Sequence, residues 1–172
     1  MDIGQAIKTA IDYEKKVTGV YKDAMEKIGD PTGRKVARVL ADEEKNHVDY
    51  LQHCENQWKT TGRITAESLQ TAVPSVEAIQ GSIEKLKSRM GAARKADEAE
   101  LGILRKALQV ETETSSFYRR MVQEMPAEAQ PLFSRFLEIE EGHLAIVQAE
   151  IDTLTGAGFW FDFREIDLEA GG

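Results

Sequence analysis

The chain has 172 residues, enough for one domain with a substantial core and cramped for a second. Its net charge of −8, from 22 basic against 30 acidic residues with no basic stripe, argues against nucleic acid as a partner, and no apolar run approaches the length of a membrane span. A composition that is 41% apolar and 30% charged, with 7% aromatic residues and 4 prolines, favours a helical globular protein over a β-sandwich or a disordered chain.

The patterning predicts four long helices and one short one. The first runs over 3–28, opened by Asp2 as N-cap with Gln5 three residues later and closed by Gly29. A turn at Gly29, Asp30 and Pro31 leads into a second helix over 31–59, with Asp30 capping and proline in the first turn. The polar stretch from Thr60 begins a crossover over 60–96. Within it Pro74 and Ser75 start a short helix whose Val76, Ile79, Ile83, Leu86 and Met90 form a narrow apolar stripe, suited to packing flat on the bundle. A third long helix covers 97–124, with Asp97 boxed by Glu100, and Met125 with Pro126 marks a second hairpin turn. The fourth covers 127–155, with Pro131 near its start, and is stopped by Gly156, Ala157 and Gly158. The tail over 156–172 is aromatic, and the alternation of Phe159, Phe161 and Phe163 suits an extended segment laid over the bundle, with Trp160 as packing.

The two hairpins carry the same pattern. Glu14, Tyr21, Glu44 and His47 in the first recur as Glu111, Tyr118, Glu140 and His143 in the second. Each acid and histidine falls inside an apolar stripe: Ile7, Ile11, Glu14, Val17, Tyr21 and Ile28 share one face, as do Phe133, Phe136, Glu140, His143, Val147 and Leu154. Glu14 and Glu44 lie equally far from the first turn, and Glu111 and Glu140 almost equally far from the second. Folding each hairpin therefore brings its two glutamates to one level near mid-helix. Four buried, unpaired carboxylates would cost several kcal/mol each, roughly. Two divalent cations balance that charge, and neutral imidazoles add donors without adding more. Glu14, Glu44, His47, Glu111, Glu140 and His143 are thus expected metal ligands in one four-helix bundle. Tyr21 and Tyr118, two turns beyond the lone glutamates, either orient a ligating carboxylate as candidate catalytic residues or fill the core. His53 has Tyr50 where the other two histidines have glutamate and reads as an ordinary helix-face residue.

With Cys54 as the single cysteine, neither an internal disulfide nor a thiolate-ligated cluster can form within the chain. The start, Met1-Asp2-Ile3-Gly4-Gln5, lacks the regions of a signal peptide, and a cytoplasmic location is expected by elimination.

These motifs resemble the ferritin-like di-iron superfamily, and their phrasing is most similar to the rubrerythrins: Ala10-Ile-Asp-Tyr-Glu14, Leu40-Ala-Asp-Glu-Glu-Lys-Asn-His47, Ala107-Leu-Gln-Val-Glu111 and Leu137-Glu-Ile-Glu-Glu-Gly-His143. The resemblance covers the four long helices and not the crossover or the tail. It implies two iron ions (Fe2+/Fe3+) bridged by Glu44 and Glu140, with Glu14 and His47 completing one and Glu111 and His143 the other; other divalent metals can occupy such a site. Three features depart from the family pattern. Thr114 stands where rubrerythrins carry a further glutamate, the single cysteine leaves no rubredoxin module, and Lys45 replaces the haem-binding methionine of bacterioferritins.

The expected function is reduction of hydrogen peroxide or dioxygen at the di-iron centre, with electrons from a separate carrier protein and a homodimeric assembly. The alternative is a ferroxidase for iron storage or delivery. A purely structural helical scaffold requires that no metal bind.

Overall fold

In the computed structural model the described residues are 1–65, 68–89 and 95–164. They form an all-α protein of five helices: α1 (Ile3–Lys27), α2 (Pro31–Thr61), α3 (Val76–Arg89), α4 (Glu98–Glu124) and α5 (Gln130–Ala157). The four long helices pack as two hairpins, α1 on α2 and α4 on α5. The hairpins meet along α1 and α4, and short α3 of the crossover lies on α5.

Local chemistry explains the boundaries. Asp2 and Gln5 form the expected reciprocal capping box of α1. Asp30 accepts the amides of Thr32 and Gly33, so proline costs α2 nothing in its first turn. Asp97 caps α4 by accepting from Ala99 and Glu100, but the predicted return bond from Glu100 does not form. Its carboxylate reaches across the bundle instead, accepting Gly29 N at 2.8 Å, Asp30 N at 3.1 Å and Trp160 Nε1 at 2.7 Å. Helix α5 starts three residues later than predicted, because Pro126 O closes a turn with Ala129 N at 2.9 Å before the helical ladder begins. It also runs through Gly156; the stop is Gly158, at φ 72°, a left-handed conformation that glycine adopts without strain.

Ile79 of α3 is fully buried, and Val76 and Ile83 are partly so, as a helix packed on the bundle requires. Met90, the Leu86 side chain and the tail beyond residue 164 lie outside the described residues. In the tail, Trp160, Phe161 and Phe163 are buried while Phe159 is exposed, so the expected alternation fails at its first member. The reason is Trp160. Its ring lies against Gly33 and its N–H bonds Glu100, and that turns the neighbouring Phe159 outward.

The core has two lobes. One gathers Val17, Leu40, Leu104, Ile146, Val147 and the tail aromatics. The other gathers Ile7, Leu51, Met121, Phe133 and Phe136. Charged side chains of all four long helices are buried at mid-helix.

Candidate metal centre

The six predicted ligands come together there. Glu14, Glu44, Glu111, Glu140 and His143 are inaccessible to solvent, and His47 is 1% exposed. The three-residue spacing of Glu44 and His47, and of Glu140 and His143, places both members of each pair on the inward face of α2 and α5. His47 Nδ1 lies 3.2 Å from Glu14 Oε2, 3.4 Å from Glu44 Oε2 and 3.6 Å from Glu140 Oε1. His143 Nδ1 lies 2.6 Å from Glu44 Oε1, 3.7 Å from Glu111 Oε1 and 3.9 Å from Glu140 Oε1. The two imidazoles stack with centroids 5.4 Å apart.

Two four-residue sets of donors emerge among the described residues, each with its ligand atoms within 4.8 Å of one another: Glu14, Glu44, His47 and Glu140, and Glu44, Glu111, Glu140 and His143. Glu44 and Glu140 belong to both. Each set could hold a metal ion.

Orphaned atoms test that fit. Both carboxylate oxygens of Glu44 and of Glu140, Glu111 Oε2 and His143 Nδ1 are buried without a hydrogen-bond partner. Native proteins leave few such groups, because each costs about 1–3 kcal/mol or more. The short contact of His143 Nδ1 with Glu44 Oε1 lacks the alignment of a hydrogen bond. Lone pairs that crowd together without pointing at one another suit a shared cation, and oxygen with imidazole donors suits iron, manganese or zinc.

The electrostatics agree. Burial, with repulsion from Glu14 and Glu111 and despite the attraction of His143, holds the Glu44 carboxyl well above 4.5. Burial and the charges of Glu14, Glu44 and Glu111 do the same to Glu140. Burial opposes protonation of His143, yet Glu44 and Glu43 raise it to about 10. The rise at His143 has a geometric cause, since its Nδ1 lies 2.6 Å from the Glu44 carboxylate. Glu14 is the exception, since its contact with His47 and the Tyr118 hydroxyl overcome burial and hold it low.

Tyr21 donates to Glu111 Oε1, and Tyr118 donates to Glu14 Oε1. Each hydroxyl crosses to the other repeat's glutamate. Burial and the accepting carboxylate hold both phenols well above 10, so they remain donors. Tyr118 also stacks on Phe136, at 5.0 Å between centroids, and so fills core as well as orienting a carboxylate. Thr114, where the resembling family has a glutamate, is buried and bonds Val110 O. His53 is exposed and pairs with Gln57.

Sequence reasoning missed Glu43. It is 8% exposed, and its Oε2 lies 3.7 Å from His143 Nε2. Burial acts to raise its pKa, but His143, Thr71 and Ala72 hold it at about 2. Its place four residues before His47 was a signal, since that spacing shares a helix face. Its loop partners left no sequence signature.

No protein-family model, curated protein or solved structure matches the chain, so the chemistry of this centre is the guide to what the protein does.

Proposed function

We propose that the protein is a non-haem di-iron oxidoreductase of rubrerythrin-like type that reduces hydrogen peroxide or dioxygen with electrons from a separate carrier. The observation that supports this most is the sharing of Glu44 and Glu140 between two four-residue donor sets. Two carboxylates common to both sets are the natural bridges between two ions, and four carboxylates balance two divalent cations. When bound, two ferrous ions supply the two electrons that, with two protons, convert hydrogen peroxide to two waters.

The chain's own residues have definite tasks in this reading. Glu14 with His47, and Glu111 with His143, complete the two positions. Tyr118 and Tyr21 hold one oxygen of Glu14 and of Glu111, leaving the other free to face a cation. The apolar lobes on either side keep bulk water from the centre. With one cysteine the chain cannot build a thiolate-ligated relay, so the electrons come from a partner.

Thr114 favours a second reading. With no seventh carboxylate there, the symmetric six-ligand set also suits a ferroxidase feeding iron storage or delivery.

Anaerobic loading with Fe2+, iron counting and stopped-flow addition of peroxide test the proposal. Two irons per chain and rapid oxidation of both by one peroxide are expected. No rapid oxidation rejects the peroxidase reading, and turnover of many irons per chain under air selects the ferroxidase.

A further inference from the structure

We propose that Glu43 is a positioning residue that fixes the His143 ring and, through Thr71 and Ala72 of the crossover, makes the two cation positions unequal, the one at His143 being the tighter. The inference rests on the two-ion reading above.

Both histidines turn Nδ1 toward the carboxylates. A ring that gives its Nδ1 lone pair to a cation carries its proton on Nε2, and a buried N–H needs an acceptor. His143 Nε2 makes no hydrogen bond but faces an acceptor at 3.7 Å, Glu43 Oε2. His47 Nε2 is likewise buried without a hydrogen bond, and its ring stands edge-on to Phe136 at 5.4 Å between centroids. Glu43, His47 and His143 do group within 4.8 Å, but the ion-pair contact is with His143.

Glu43 is itself clamped. Ala72 N donates to its Oε1 at 2.8 Å, and Thr71 Oγ1 donates to its Oε2 at 2.6 Å. Thr71 is steadied in turn by accepting Val73 N at 3.1 Å. Among the described residues nothing equivalent supports the other half, because the residue before Glu140 is Ile139 where Glu43 precedes Glu44. The repeat is symmetric in its ligands and broken in the groups behind them. An acceptor on the distal N–H strengthens an imidazole ligand and locks its orientation, and losing one typically costs about 10–100-fold in metal affinity.

The full chain, stripped with chelator, is titrated with Zn2+ by calorimetry as wild type, Glu43→Gln and Thr71→Val. Glutamine keeps the volume but offers one acceptor oxygen to three donors, and valine keeps the shape of threonine without its hydroxyl. Wild type is expected to bind two ions in two resolved steps. Glu43→Gln should weaken the tighter step about 10–100-fold and leave the other within about threefold, with Thr71→Val weakening the same step less. In the Co2+-loaded protein one paramagnetically shifted ring N–H should exchange slowly, and Glu43→Gln should speed it. A merely structural role would lower the melting temperature of the stripped variants and leave the separation of the steps unchanged, which overturns the proposal. Equal steps in wild type overturn it too while leaving the two-ion reading intact. If wild type binds no Zn2+, the two-ion reading fails and takes the inference with it. Should Glu43→Gln not fold, Thr71→Val decides alone.

Discussion

Tyr21 and Tyr118 each bond the glutamate of the opposite repeat, so the two halves of the molecule are stitched by a crossed pair of hydroxyl–carboxylate bonds. Removing either hydroxyl leaves a buried carboxylate short of a donor, which typically costs about 1–3 kcal/mol. Tyr21→Phe and Tyr118→Phe should therefore lower the denaturation midpoint of the stripped protein by similar amounts, readable in urea melts; a loss in one variant alone would show that the crossing is not symmetric in energy. Bridging and terminal carboxylates should also separate. Glu44→Ala removes a donor common to both sets and should abolish binding of two Zn2+ ions, whereas Glu14→Ala touches one set and should leave one ion bound, as elemental analysis would report. The six clustered side chains were legible in sequence because a charged residue inside an apolar stripe is conspicuous and occurred twice at matched heights. Glu43 was not, because beside Glu44 it looks like one more helical acid. Only the fold brings Thr71 and Ala72 to its carboxylate.

At the scale of elements, the tail is tied into the first hairpin turn. Glu100 joins the amides of that turn to Trp160, and a Cβ on Gly33 would lie 2.6 Å from the Trp160 ring. Gly33→Ala should displace the ring, red-shift its fluorescence and cost about 1–3 kcal/mol, the usual range for overpacking. Asp162 fastens the same segment. The Arg164 guanidinium, 2.8 and 3.0 Å away, holds its carboxyl at about 2 despite partial burial, and Lys35 lies 3.3 Å off. A carboxyl whose folded pKa is depressed stabilises above its unfolded value of 3.8 and loses that contribution as pH falls through 2. The stability gap between wild type and Asp162→Asn should accordingly be constant at neutral pH and close as the pH falls below about 4. Helix number, hairpin pairing and most caps were legible, since they follow from periodicity and from aspartates placed before helix starts. The beginning of α5 was not, because the turn at Pro126 competes locally with the helix, and the tail's facing was set by a tertiary contact with Gly33.

For the whole molecule, a polar layer between two apolar lobes poses a conflict between stability and function. Without cations the layer is a liability: Glu140 is held far above 4.5 by burial and by three neighbouring carboxylates. The unfolded chain releases that proton near 4.5 and the folded chain keeps it, so folding takes up a proton and stability falls as pH rises past 4.5. Glutamine at this position does not titrate. Stripped Glu140→Gln should therefore match wild type near pH 4.5 and become increasingly the more stable of the two as pH rises. Cations reverse the order. An ion that binds only the folded state adds about 2.7 kcal/mol per site at a free concentration one hundred times its dissociation constant, and Glu140→Gln gives up a donor common to both sets. Thermal melts at about pH 8, with and without Zn2+, should show the variant above wild type when stripped and below it when loaded. The same ranking in both conditions would mean that the layer is held together by something other than metal.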